Sequence, residues 1–353
     1  MGYIIIFIFF FVALLTMVEQ RMGKYRLPIY LLVGLSLILV AGLREVGIDP
    51  DSENYESTFL NYYHEDTSMA IEVSYLLLSR IINIFTNDVH VLFLFYAFWG
   101  LSLKFLAFRK LSEYWFLPVV VYIAFYYNLH EVTQIRTGVL SGLYLLAIPL
   151  IAAGKRMKAF VLLLIGIFFH TSGIALLPLL FLNNKMSGKK QRLLWASLIP
   201  ISYIFFFGGN ALLLNFSSSI PYIGDKLALY QTGAERGLLT VSVNVFSPLQ
   251  LLSIMLYFYL LLFYDTITQY NKYFPLMMKC FSIGIFFFAT LSIVPVFAQR
   301  FSYLFNIVNI ILYSNLVYTF KQRWIGKLII IVLSTVLLNY GLGYIEFPFL
   351  WEV

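Results

Sequence analysis

Charge is scarce in this 353-residue chain. Asp, Glu, Lys and Arg make up 12% of it, about half the share found in soluble globular domains, so a water-exposed surface of ordinary composition is excluded. Cysteine is almost missing: the single Cys280 excludes an internal disulfide and any cysteine-ligated metal cluster. No Gly-rich phosphate loop and no nucleophile–base motif occurs, which removes nucleotide-driven transport and serine-hydrolase chemistry. Nor is there a fixed-period repeat, a low-complexity tail or a linker. A single integral membrane domain over residues 1–353 is therefore expected.

What fills the chain is apolar. It is 61% hydrophobic and 19% aromatic, with mean hydropathy +0.85, and runs of about 20 apolar residues recur along it, enough to cross a hydrocarbon core of about 30 Å. A membrane barrel would show alternating strands of about 10 residues instead. The fold class is all-α: a polytopic helical membrane protein with about ten crossings. The expected spans lie near 3–19, 27–43, 91–108, 116–129, 132–153, 193–208, 246–264, 274–297, 299–320 and 325–345. Residues 1–18 lack a basic start and read as a retained first span rather than a cleaved signal.

Two segments depart from that pattern. Residues 69–85 carry Glu72, Ser79 and Asn83 near one helical face and apolar side chains on the others, which predicts an amphipathic interfacial helix. Residues 160–182 are long enough to cross once, yet both flanks are basic and His170-Thr-Ser-Gly173 breaks the middle. A re-entrant helical hairpin keeps both basic flanks on one side, and irregular backbone at that depth is tolerated inside protein. Polar outer loops are expected at about 44–68 and 209–245.

The net charge of +7 does not point to nucleic acid, because Lys and Arg collect in the loops of one side as topology requires. The exceptions are Arg44, Arg80, Arg136, Lys226, Arg236 and Arg300. Placing arginine near a membrane centre costs roughly 2.5–3.5 kcal/mol on insertion scales. Alone, each is explained by snorkelling or a structural carboxylate. Arg44, Arg136 and Arg300 on one outer side, with Gln134 and Gln299 beside two of them, suit a phosphorylated lipid instead, since the guanidinium fork matches phosphate oxygens.

The carboxylates of Leu43–Tyr55 have a simple reading as a solvated run. Asp49, five residues past Arg44, is the best candidate for a proton acceptor. Asp49-x-Asp51-x-Glu53 lacks the glycine and distal glutamate of a calcium loop, so no metal is expected. His170 is read as either a satisfied structural histidine or a proton acceptor at the apex of a broken helix, and Glu72 is a second candidate base. Tyr62-Tyr63, Tyr122, Tyr126-Tyr127 and Tyr303 fit an interfacial aromatic belt.

Four pieces in order make a further pattern. They are Leu43-Arg44-x-x-Gly47-x-Asp49 leading to Tyr55; Asn128 through Gln134-x-Arg136; Phe168-Phe-His170-Thr-Ser; and Pro295-x-x-x-Gln299-Arg300-Phe-Ser-Tyr303. Together they resemble the EpsG-like family of Wzy-type polysaccharide polymerases. The chain departs from the family where it has Gly47-Ile-Asp49 for Gly-Thr-Asp and Arg136-Thr137 for Arg-Gln. The resemblance implies a bacterial inner-membrane enzyme with its active site on the periplasmic face. Such an enzyme joins oligosaccharide repeat units carried on undecaprenyl pyrophosphate, as in O-antigen or exopolysaccharide synthesis. It uses no nucleotide sugar and no cofactor, its partners being the lipid-linked oligosaccharide, membrane lipid and a chain-length regulator protein. Arg44, Arg136 and Arg300, with Gln134 and Gln299, would bind the pyrophosphate; Asp49, His170 or Glu72 would take the acceptor's proton; Tyr55 and Tyr303 would contact sugar. A flippase for the same lipid-linked sugar and an O-antigen ligase are the alternatives.

Overall fold

The computed structural model describes residues 1–62, 72–186, 188–208, 243–292 and 294–347. The larger part of the expected loop 209–245, residues 63–68 of the expected loop 44–68, and residues 69–71 of the expected amphipathic helix lie outside the described residues.

Among the described residues the chain is helical, without strands. In order, the main helices are α1 (Gly2–Val18), α2 (Arg26–Gly42), α3 (Ser52–Leu60), α4 (Val73–Asn83), α5 (His90–Leu111), α6 (Phe116–Val121), α7 (Ile135–Ala152), α8 (Arg156–Phe169), α9 (Lys189–Ala196), α10 (Leu198–Phe207), α11 (Pro248–Leu262), α12 (Phe274–Thr290), α13 (Pro295–Asn306) and α14 (Arg323–Gly343). Among the described residues five helical runs are long and apolar enough to span a membrane, Gly2–Arg21, Gly23–Gly42, His90–Leu111, Ile135–Ala152 and Arg323–Gly343, and the bent pair Pro295–Asn306 and Asn309–Thr319 would make a sixth. The remaining apolar runs are built as shorter pieces. The run expected at 116–129 is one example: α6 gives way to wide π-helical turns over Tyr122–Tyr126 and Asn128–Thr133.

The chain forms two compact units. The first comprises Met1–Asn183, Thr266–Tyr273 and Ile310–Val353; the second comprises Asn184–Asp265 and Phe274–Asn309.

In the first unit α5 packs on both α2 and α7. The α2–α5 pair is antiparallel. Tyr30 donates to the Phe105 carbonyl at 2.9 Å, and at the other end a Cβ on Gly42 would strike the Leu94 side chain at 2.4 Å, so helix approach there depends on glycine. Beyond α7, Gly154 turns the chain at φ +71°, and α8 packs back along it.

α8 stops at His170, as the sequence predicts. His170 is extended (φ −153°, ψ 124°), and a 3-10 helix, Thr171–Phe181, follows. The two arms touch each other. Leu140 of α7 fills the space above Gly166 and Gly173 of the two arms.

α4 is amphipathic as expected, with its polar side inward. Ser74, Tyr75 and Ser79 are buried, while Val73, Leu77 and Ile81 are exposed. Asn83 holds the helix to α3 by donating to the Phe59 carbonyl at 3.0 Å.

In the second unit α12 packs on α10 and α13. Gly284 is needed there, since a Cβ would lie 1.9 Å from the Asn306 side-chain oxygen. Arg192 pairs with Asp265 and lies over the Tyr264 ring at 4.0 Å.

Candidate functional site

Three residues singled out in the sequence meet in the first unit: Glu72, Arg136 and His170. Each stands at the end of an element. Glu72 caps the N-terminus of α4 in an extended conformation, Arg136 is the second residue of α7, and His170 is the break after α8. Arg136 pairs through Nη1 with Oε2 of Glu72, and His170 Nε2 lies 3.4 Å from the other oxygen, Oε1. The glutamate and histidine side chains are each 10% exposed and that of Arg136 22%. The cluster is thus nearly dry without being sealed.

The histidine tautomer follows from its other nitrogen. Nδ1 accepts from the backbone N–H of Ser172 at 3.2 Å, with the Ser172 hydroxyl 2.7 Å away. The proton of the neutral ring therefore sits on Nε2, aimed at Glu72.

Aromatic rings hold Arg136 in place. Its guanidinium lies 5.5 Å from the centre of the Tyr55 ring and 5.7 Å from that of Tyr75, within cation–π range. The two rings stack at 5.7 Å, and Tyr75 donates to the Tyr55 carbonyl at 2.6 Å. Burial pushes the Tyr55 phenol up to about 12, with the Arg136 charge opposing, so it remains a donor at physiological pH. Beneath them Phe59, Phe93, Tyr96, Ile135 and Val139 form a buried apolar floor.

A cation in the first turn of a helix faces the positive end of the macrodipole. Arg136 adds its charge to the N-terminus of an 18-residue helix, and the place it creates favours an anion. Glu72 occupies that place. Arg136 Nε is buried without a partner among the described residues.

Arg44 and Asp49 are placed differently. They pair at 3.1 Å with both side chains fully buried. The other Arg44 nitrogens donate to the Ala41 and Val132 carbonyls, each at 2.7 Å, and the guanidinium rests 3.9 Å from the Phe93 ring centre. Burial pulls the Arg44 guanidinium below its ordinary value, with Asp49 opposing. Asp49 also accepts from the Asp51 N–H at 3.1 Å, and Gly47, at φ +89°, makes the turn that folds the aspartate back. The protein itself occupies all three Arg44 nitrogens, and the pair forms a clasp between the end of α2 and the residues before α7.

Gln134 stands at the N-terminus of α7 with no side-chain cap bond and is partly exposed. Gln299 and Arg300 are exposed on α13 and Tyr303 is partly buried on the same helix, all in the second unit. No group of three or more His, Cys, Asp or Glu that could hold a metal occurs among the described residues.

Sequence reasoning missed a second polar centre. Lys104, in the middle of α5, is fully buried; it donates to Glu131 Oε1 and to the Gly138 carbonyl, each at 2.6 Å. Tyr122 donates to the same carboxylate oxygen. Next to Glu131, His130 is also buried, its Nδ1 3.3 Å from the Ser141 hydroxyl. Two glycines make room: a Cβ on Gly100 would lie 2.3 Å from Glu131 Oε2, and one on Gly138 2.3 Å from the His130 carbonyl. The available signals were a lone lysine inside an apolar run and a lone glutamate at the junction of two others.

The EpsG family model matches residues 27–349, a range that takes in the cluster, the clasp and α13. The chain is 22% identical over 356 residues, 96% of this chain and 92% of the relative, to the amylovoran biosynthesis protein AmsC of Erwinia amylovora. No solved structure matches. With nearly its whole length covered by the family model and several helices of spanning length, this multi-pass membrane protein belongs to the EpsG family.

Proposed function

We propose that the protein is an exopolysaccharide polymerase of the bacterial inner membrane. In this reading it joins oligosaccharide repeat units carried on undecaprenyl pyrophosphate, working on the periplasmic face. Family membership and the name of the relative from Erwinia amylovora support polysaccharide synthesis. The observation that carries the chemistry is Arg136: a guanidinium at a helix N-terminus, neutralised by a carboxylate that also faces a histidine.

The proposed step exchanges partners. An arriving lipid pyrophosphate takes the place of Glu72 on Arg136 and on the N-terminus of α7, both of which favour phosphate oxygens. Glu72, freed from the ion pair, accepts the proton of the acceptor hydroxyl as that oxygen attacks the anomeric carbon of the growing chain. The carbon–oxygen bond to the pyrophosphate breaks, and its electron pair leaves with the lipid pyrophosphate. Arg136 neutralises charge developing on the leaving oxygens, while His170 Nε2–H holds the Glu72 carboxylate in place. Tyr55, beside Arg136, is the proposed sugar contact. Arg300 and Gln299, exposed on α13, and Tyr303 are proposed to contact an anionic or sugar moiety of substrate in their own unit. A chain-length regulator protein is a proposed partner.

Purified protein in detergent, supplied with polyprenyl-pyrophosphate-linked repeat units, is expected to produce a ladder of lengthening products. Glu72→Gln and Arg136→Ala should each abolish it at unchanged protein level. A wild-type protein that makes no ladder, yet moves the lipid between leaflets of a vesicle, would be a flippase and would end this reading.

A further inference from the structure

A groove of about 330 Å³ runs between α2 and α5, on the outside of the first unit. Its walls are apolar, including Leu31, Leu35, Phe98 and Leu106, and it carries one charge, Arg109, at one end. The volume falls within the range of about 300–1,000 Å³ typical of small-molecule sites. An apolar trough ending at a single cation is the pattern an anionic amphiphile requires.

Arg109 is open to such a ligand. Its guanidinium lies over the Trp115 ring at 4.5 Å, and no hydrogen bond or ion pair engages it among the described residues. Arg26 lies on the same ring at 3.9 Å but is spoken for: Glu19 and the Glu113 carbonyl take its donors. Glu19, whose carboxylate is buried, is thereby paired, and it also accepts from the Trp115 N–H. Lys110 follows Arg109, and Lys24 stands just before α2. Even with Glu113 counted against Lys24, Lys110 and Arg109, the charges around this end of the groove leave a positive surplus.

We propose that the groove binds an anionic phospholipid, one acyl chain lying along α2 and α5 and the phosphate on Arg109. The groove and its charge are independent of the proposed polymerase chemistry.

The test uses full-length protein in nanodiscs with equal mole fractions of phosphatidylglycerol and phosphatidylcholine. Lipid retained after extraction into mild detergent is counted by native mass spectrometry. Wild type is expected to retain one phosphatidylglycerol in preference to phosphatidylcholine. Arg109→Gln should lower that preference about fivefold, the worth of one surface cation toward an anionic leaflet. Leu35→Trp, at an exposed position, should fill the trough and displace the lipid. Arg156→Gln, an exposed cation outside the groove, should change nothing. Equal retention of both lipids, or an Arg109→Gln protein with unchanged preference, would mean ordinary annular lipid and would overturn the proposal. So would a retained mass belonging to a polyprenyl phosphate, which would assign the groove to the carrier lipid.

Discussion

His170 faces Oε1 of Glu72 at 3.4 Å, across from the oxygen held by Arg136. One carboxylate is thus shared by a permanent cation and a proton donor, within a pocket nearly closed to water. Opposed contacts of this kind leave the glutamate with a definite orientation and a definite choice of partner.

The first expectation concerns that choice. Glu72→Gln should lower polymer formation by about 10²–10⁴, the range for removing a general base. Arg136→Lys should recover little of the activity lost in Arg136→Ala, because an ammonium lacks the fork that grips phosphate. His170→Gln should be milder than Glu72→Gln, since it removes a positioning contact and leaves the carboxylate. Ladder length per unit time, at matched protein, is the measurement.

Arg44 and Asp49 should behave as structure. Removing one partner of a buried ion pair costs about 3–5 kcal/mol, so Arg44→Ala and Asp49→Ala should each lower the melting temperature in detergent and the level in the membrane. Whatever folded protein survives should polymerise at close to the normal rate. Loss of activity at unchanged melting temperature would instead place the pair in the reaction.

Arg300 gives the opposite pattern. Its side chain is exposed on α13, so Arg300→Ala should leave the unfolding free energy within about 0.5 kcal/mol of wild type, as for other surface changes. Its proposed substrate contact predicts shorter product. Full-length polymer from this variant would remove the role.

The buried Lys104–Glu131 pair predicts non-additivity. Lys104→Met or Glu131→Gln alone strands a group in the bundle and should cost about 3–5 kcal/mol. The double variant strands less and should be more stable than either single change. Thermal unfolding of the three variants, compared as a cycle, decides it.

Tyr55 sets an alkaline limit. Its folded value near 12 lies above the ordinary 10 because the phenol is buried. The stabilisation is therefore complete below about pH 10 and is lost as pH rises toward 12. Tyr55→Phe should flatten the stability curve in that window only.

Much of this arrangement is legible from residue order. Glu72, Arg136 and His170 stand out as polar residues at the edges of apolar runs, and the break at His170 is announced by His-Thr-Ser-Gly. The Arg44–Asp49 clasp is not legible in the sequence, because a five-residue spacing does not reveal that Gly47 folds the aspartate back, nor that Val132, 88 residues on, supplies a carbonyl. Lys104 and Glu131 were overlooked for a similar reason: they are 27 residues apart, joined only once α5 lies beside the wide turns before α7. Those turns have no composition of their own. Tyr122, Tyr127 and Asn128 are fully buried there, a tertiary environment that a linear pattern does not encode.

The apolar outer face of α4 begins one residue after the carboxylate proposed to take the proton. Val73, Leu77 and Ile81 point away from the protein, an apolar face of the kind that suits hydrocarbon tails. Glu72 is the residue just ahead of it. Under the proposed chemistry, polymerisation by one and the same sequence should therefore change rate between thinner and thicker host bilayers.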